Sequence, residues 1–332
     1  MDYWQVSAGA EGRKYAYLFF DYGIMCVGGD TYEKRIKEVK KNDIVVLKGG
    51  KSEILGAGII QEKNGNINFI DEEWLGNFEG WNLKDYVYVE WHQPKEPIEV
   101  NEGLTIGTLF RLHNDKIKKI ADEIIETFPK NKPKPKPDLS RIKKIDDNSI
   151  IDYLIKQGMR PRNAEELTNT FNTIRLLANF YYEECEWDEV REHETRTFLI
   201  MPLLFALGWS EQKLKIELGK GNRERIDIAC FNKPYTKTLD EERKNCILLI
   251  ESKGFSQGLD TGRDQAVEYA KVFPNCDKII VSNGFCYKAF NKLGNEFSTT
   301  PSAYMNLLNP TDKYPLYPES KGTLEIFKML LP

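Results

Sequence analysis

No apolar run in this chain is long enough to cross a bilayer: the longest, such as 198–207 and 246–250, fall well short of the roughly 20 residues a membrane helix needs. The opening residues, Met1-Asp2-Tyr3-Trp4-Gln5, lack a basic segment followed by an apolar one, so no secretory leader is expected and a cytoplasmic location is. Six cysteines, Cys26, Cys185, Cys230, Cys246, Cys276 and Cys286, include no CxxC pair. That argues against a zinc ribbon and a disulfide framework, and for reduced thiols packed as small hydrophobes. His92 and His113 have no partners at metal spacing. A GxxxxGK[ST] phosphate loop is missing, so ATP-driven translocation is not supported. Neither sign of charge dominates: the formal net charge is −4, which argues against a basic coat for nonspecific nucleic-acid binding but says little about a local cleft.

Hydrophobic residues make up 41% and charged residues 30% of the 332 residues, the mixture of a soluble globular protein with room for two cores. The stretch Pro129-Lys130-Asn131-Lys132-Pro133-Lys134-Pro135-Lys136-Pro137 removes backbone donors and favours extended geometry, so it reads as an interdomain linker. The expected division is 1–128, a linker at 129–137, and 138–332; a long surface loop within one domain is the alternative. Before the linker, β-rich runs at 43–47, 54–60, 67–70 and 86–91 alternate with turn residues, as in a small barrel or bent sheet. Helices are predicted at 15–22 and 115–128, the second with Ile117, Ile120, Ala121, Ile124 and Ile125 on one face.

After the linker the pattern becomes a helix over about 163–207, broken near 185–188, then strands at 214–217, 225–231 and 246–251. A helix at 262–272 and strands at 279–282 and 285–290 follow. The strand Cys246-Ile247-Leu248-Leu249-Ile250 is apolar throughout yet runs into Glu251-Ser252-Lys253. Alternation puts Glu251 and Lys253 on one face, about 6–7 Å apart. Asp227 lies between Ile226 and Ile228, where an unpaired charge is costly. If 225–231 and 246–251 form an antiparallel hairpin, both carboxylates reach neighbouring strands, able to bind a hard cation such as Mg²⁺ beside the lysine. Such a centre suits phosphodiester hydrolysis: the ion acidifies water and neutralises phosphoryl charge, while Lys253 holds the water. The ordinary alternative is a salt bridge, Glu251 to Lys253 or Asp227 to Arg225.

The run from Glu194-Thr195-Arg196 to Ala206-Leu207-Gly208-Trp209, then Arg225-Ile226-Asp227, then Leu249-Ile250-Glu251-Ser252-Lys253, resembles the nuclease domain at the amino terminus of type I restriction-enzyme R subunits and related PD-(D/E)XK nucleases. The resemblance covers about 182–290. It implies a catalytic set of Glu194, Asp227, Glu251 and Lys253, with the three carboxylates binding Mg²⁺, for which Mn²⁺ can substitute. Glu192 competes with Glu194 for the helix position; Glu194 is preferred because it precedes Thr-Arg. Gln265 and Tyr269 match a glutamine and tyrosine typical of some members and share a helical face, although packing and a surface hydrogen bond account for them equally. Lys220, Arg223 and Arg225 are candidate phosphate contacts, or simply solvated.

Residues 1–113, through Tyr3-Trp4-Gln5-Val6-Ser7, Gly23–Gly29, Lys41–Leu47 and Glu53–Ile60, resemble EVE and related PUA-like domains. That implies nucleic-acid binding, with an aromatic pocket for a flipped modified base. Trp4, Trp81, Phe20 and Trp91 are the candidate base contacts, against the ordinary use of large aromatics as core. The expectation is thus a two-domain α/β protein, a PUA-like β-barrel with helices followed by a restriction-endonuclease-like α/β core. It would cut DNA, with modified cytosine as a candidate signal, in a restriction or phage-defence role. A homodimer is expected because cutting both strands requires two active sites. The rivals are a nucleic-acid-binding regulator with an inactive nuclease fold and a nuclease acting on RNA.

Overall fold

Trp4 shows how the first sheet is tied together. Its ring N–H donates to Asp43 Oδ2 at 3.0 Å, and Asp43 also accepts from the backbone N–H groups of Asp2 and Lys40. The computed structural model describes residues 1–9, 15–221, 224–236 and 242–332, without the side chains of 77, 220, 221 and 224. It is mixed α/β with two sheets, and the chain divides into two compact units, Met1–Leu139 and Ser140–Pro332.

In the first unit the strands are β1 (Tyr3–Ser7), β2 (Ile24–Val27), β3 (Ile44–Gly49), β4 (Glu53–Gln61), β5 (Asn68–Ile70), β6 (Asp85–His92), β7 (Ile98–Glu99) and β8 (Leu109–Arg111). Their order is β2-β6-β4-β3-β1-β8, with β5 on β6 and β7 on β4. β1 runs parallel to β3 and the other pairs are antiparallel. Gly58 is needed for close approach in β4, since a Cβ there would lie 2.5 Å from Val89 Cγ1. Helix Asp115–Thr127 is capped by the Asn114 side chain, which accepts from Lys116 N and Ile117 N. Its Ile117, Ala121 and Ile124 pack with Ile44, Val46, Ile54 and Ala57, because i, i+4, i+7 spacing makes one apolar stripe.

The lysine–proline segment is not a free spacer along its length. Asn131 N donates to Trp91 O at 2.7 Å, Lys134 N to Asp21 O at 2.6 Å, and Lys136 Nζ to Asp71 Oδ2 at 3.0 Å. Prolines leave few donors, and several of the remaining ones stitch the segment onto the first unit.

In the second unit the strands are β9 (Leu214–Gly221), β10 (Glu224–Phe231), β11 (Cys246–Ser252), β12 (Lys278–Ser282), β13 (Cys286–Leu293), β14 (Glu296–Phe297) and β15 (Ala303–Asn306). The order is β14-β13-β12-β11-β10-β9, with β15 on β13. β10 and β11 pair antiparallel, as the apolar runs on either side of a polar loop predict, whereas β11 and β12 are parallel. A parallel pair requires a crossover, supplied by helix Asp260–Ala270. β11 is apolar on both faces because both are covered: all its residues but Ile247 are buried.

The long helical region breaks as predicted. Helix Pro161–Glu184 ends, and a second helical run starts at Glu192. Residues Thr195–Ile200 form a π turn before helix Met201–Ala206, with Met201 N–H reaching back to Arg196 O. Pro202 accounts for it: it has no N–H for the Phe198 carbonyl and its ring crowds that group, so the helix widens instead of closing normally. All six cysteines are free, and five of them are buried. Among the described residues no helix is long and apolar enough to cross a membrane.

Candidate active site

Ile228 pairs with Ile250 in the β10–β11 register. One step further, toward the start of β10 and the end of β11, stand Asp227 and Glu251, each buried at an edge of the core. Both oxygens of Asp227 have partners. Its Oδ1 accepts from Arg196 Nη1 at 3.0 Å, and its Oδ2 from Ser252 N at 2.7 Å and Ser252 Oγ at 3.0 Å. Glu251, 2% exposed, accepts from Lys253 Nζ at 2.6 Å. Burial above all, and then the neighbouring Asp227 charge, push the Glu251 carboxyl up to about 7 despite the opposing pull of Lys253. A second negative charge this close disfavours the ionised form of Glu251.

Lys253 links this pair to the crossover helix. Its Nζ lies 3.4 Å from Gln265 Oε1, and Gln265 Nε2 donates to the Tyr269 hydroxyl at 2.9 Å. Glu251, Lys253, Gln265 and Tyr269 therefore form one hydrogen-bonded line. The lysine backbone is held as well: its N–H donates to Ser282 O at 2.8 Å, and its carbonyl lies 2.8 Å from Thr195 Oγ1. The helix can come this close because of Gly262, where a Cβ would lie 2.5 Å from Val281 Cγ1, 3.0 Å from Lys253 Cε and 3.3 Å from Glu251 Cγ.

The helix carboxylate that faces the pair is Glu192, correcting the preference for Glu194. Burial and the Asp227 charge raise the Glu192 carboxyl, while Lys253, Arg196 and a hydrogen bond with Ser252 pull it back. Glu194 turns instead to its own helix start, where Oε2 accepts from Arg191 N at 2.9 Å. Arg196, which the sequence reading did not single out as a site residue, is the main counter-ion. Besides Asp227 it meets Glu217 Oε1 at 2.8 Å and Glu192 Oε1 at 3.7 Å. Its position four residues after Glu192 is the signal that could have found it, since i and i+4 share a helical face.

Arg225 is exposed and pairs with Glu217 Oε2 at 2.8 Å rather than with Asp227. Lys220 falls on β9 but its side chain lies outside the described residues, as does the whole of Arg223.

Three of the four aromatic base candidates are core residues. Trp4 has no exposed surface and its ring N–H is used by Asp43. Trp91 is 1% exposed, donates to Ile24 O at 3.0 Å and stacks on Phe19. Phe20 is buried edge-on against Trp91. None of these three presents a ring face to a ligand. Trp81 alone is half-buried, edge-on to Tyr15, whose hydroxyl donates to Glu79 at 2.7 Å. A cleft of about 470 Å³ on the same unit is lined by Lys63, Tyr88, Lys130 and Lys132 among others, and none of the four candidates borders it.

Fold and site thus define a two-unit α/β protein with a buried carboxylate–lysine centre on two inner strands of its second sheet. Compared with known proteins, the chain matches no family model, and no curated protein shows significant similarity to it.

Proposed function

We propose that this chain is a metal-dependent DNA endonuclease of the PD-(D/E)XK kind. The observation that carries the reading is the meeting of Asp227, Glu251 and Lys253 where β10 and β11 stop pairing, with Gln265 and Tyr269 continuing the line. The donor set fits a hard cation. Among the described residues no three acidic, histidine or cysteine side chains form a ready metal cage, but Mg²⁺ needs only one or two carboxylates and takes water and phosphate oxygens for the rest. Asp227 and Glu251 would hold it, with Glu192 nearby, and Mn²⁺ can substitute. Bound there, the ion supplies acidification of a water and neutralisation of phosphoryl charge.

The chain's own residues do the rest. Ser252 and Arg196 fix the Asp227 carboxylate, and Lys253, oriented by Glu251 and Gln265, donates hydrogen bonds to the water or a phosphoryl oxygen. The first unit serves as a PUA-like reader of the nucleic acid, with Trp81, the half-buried one of the four aromatic candidates, as its base contact and modified cytosine as its candidate signal. The role is restriction or phage defence, and two copies of the chain would cut both strands.

The test is cleavage of matched DNA duplexes carrying unmodified, methylated or hydroxymethylated cytosine, and of the corresponding RNA, with Mg²⁺ or EDTA. Wild type is compared with Asp227→Ala and Lys253→Ala. Metal-dependent DNA cutting that drops at least about a hundredfold in both variants is expected. RNA cut in preference to DNA would replace the substrate, equal cutting of all duplexes would remove the modified-base reader, and no cutting of any substrate would sink the nuclease reading.

A further inference from the structure

We infer that Arg196 is a positioning residue for the cation site, itself held in place by Glu217; the inference rests on the nuclease reading above. The guanidinium is 8% exposed and meets three carboxylates. Two of them, Glu192 and Asp227, face the centre. The third does not: Glu217 makes its contacts to Arg196 through one oxygen and to Arg225 through the other.

Glu217 adopts φ +52, one of four positive-φ non-glycine residues among those described, and two of the others are asparagines, which tolerate that region far better than glutamate. The pairing of β9 with β10 continues on both sides of it, Leu218 with Ile226 and Ile216 with Ile228. The left-handed residue therefore sits within the part of the ladder that keeps one register, Arg225 to Cys230, across from Asp227. Its contact with Arg196 is what the unusual backbone accompanies, and strain of this kind persists only where surrounding contacts over-determine it.

Asp227 explains why an arginine is placed there. Of the roughly four lone-pair positions on a carboxylate, Ser252 takes two on Oδ2 and Arg196 one on Oδ1. One remains on Oδ1, in a direction set by the planar fork of the arginine. A lysine would supply the charge without the fork. Arg196 thus aims the free lone pair of Asp227, and Glu217 aims Arg196.

Mn²⁺ titration of the full chain without nucleic acid, followed by electron paramagnetic resonance, tests this in wild type, Arg196→Lys, Arg196→Met, Glu217→Gln and the Arg196→Met/Glu217→Gln double variant. Loss of a group that orients a metal ligand weakens binding about 10- to 100-fold, so that loss is expected for Arg196→Met, with Arg196→Lys between it and wild type. Glu217→Gln should weaken binding several-fold in wild type and add nothing once Arg196 is gone, the signature of two residues acting as one. Unchanged Mn²⁺ affinity in Arg196→Met, or an equal Glu217→Gln effect in both backgrounds, overturns the inference alone. If Arg196→Met fails to fold, wild-type affinity in both Arg196→Lys and Glu217→Gln overturns it. A wild-type chain that binds no Mn²⁺ brings down the nuclease reading and this inference with it.

Discussion

Lys253 Nζ stands 2.6 Å from Glu251 Oε1 and 3.4 Å from Gln265 Oε1, so one ammonium ties the end of a core strand to the crossover helix. The acid at this junction is nearly sealed from solvent, and its ionisation is coupled to folding.

Burial and Asp227 hold the Glu251 carboxyl at about 7, against its ordinary 4.5. A raised folded value means that the folded chain binds the proton more tightly than the unfolded one. That stability is complete below the unfolded value and is lost as pH rises through the folded value. Wild type should therefore lose on the order of 3 kcal/mol from this group between pH 4.5 and 8 in metal-free buffer. Glu251→Gln should flatten the slope; urea unfolding across that range measures it, and parallel slopes for the two proteins would contradict the assignment.

Gly262→Ala places a methyl group against Val281, Lys253 and Glu251. Overpacking of this kind costs about 1–3 kcal/mol, and here it also pushes the helix bearing Gln265 away from Lys253. A lower melting temperature together with reduced Mn²⁺ affinity is expected. Wild-type behaviour in both would mean that the helix has more room than the contacts indicate.

Glu192 and Glu194 differ in what they face, and conservative amides separate them. Glu192→Gln should reduce cleavage by about tenfold or more, the usual scale for groups around a metal ligand. Glu194→Gln should keep the contact with Arg191 N, since an amide oxygen also accepts, and cut at nearly the wild-type rate. The reverse ranking in initial rates would restore Glu194.

For the first unit, Trp4→Phe should destabilise the fold by about 1–3 kcal/mol by removing one of the hydrogen bonds to the buried Asp43 carboxylate while leaving nucleic-acid affinity unchanged. Trp81→Ala should do the opposite, weakening binding by about 1–3 kcal/mol if a base stacks there. Fluorescence anisotropy alongside thermal melts distinguishes the two, and equal affinity of Trp81→Ala and wild type would dismiss Trp81 as a contact.

Strands β10 and β11 were legible because local signals agreed: β-rich runs, a polar loop between them, and charges at the ends. The same holds for helix Asp115–Thr127, whose apolar spacing and Asn114 cap point the same way. Helices Asp30–Ile36, Asp147–Lys156 and Thr323–Leu330 and strand β15 went unread, being short elements defined mainly by what packs on them. Trp4 and Trp91 were misread for a related reason, since a tryptophan in sequence shows its ring but not whether its N–H is used inside the core. Arg196 stands in the run Glu194-Thr195-Arg196, yet its role depends on Glu217, whose backbone geometry no local pattern announces.

The π turn at Thr195–Ile200 bears on all of this. An α-helix advances by about 100° per residue, so the one extra residue taken up in that turn rotates everything upstream by about that angle. Glu192 and Glu194 lie upstream. Pro202, which occasions the wide turn from beyond its far end, thereby sets whether Glu192 looks toward Asp227: in this chain the orientation of a charged group beside the sheet is decided by a ring that carries no charge.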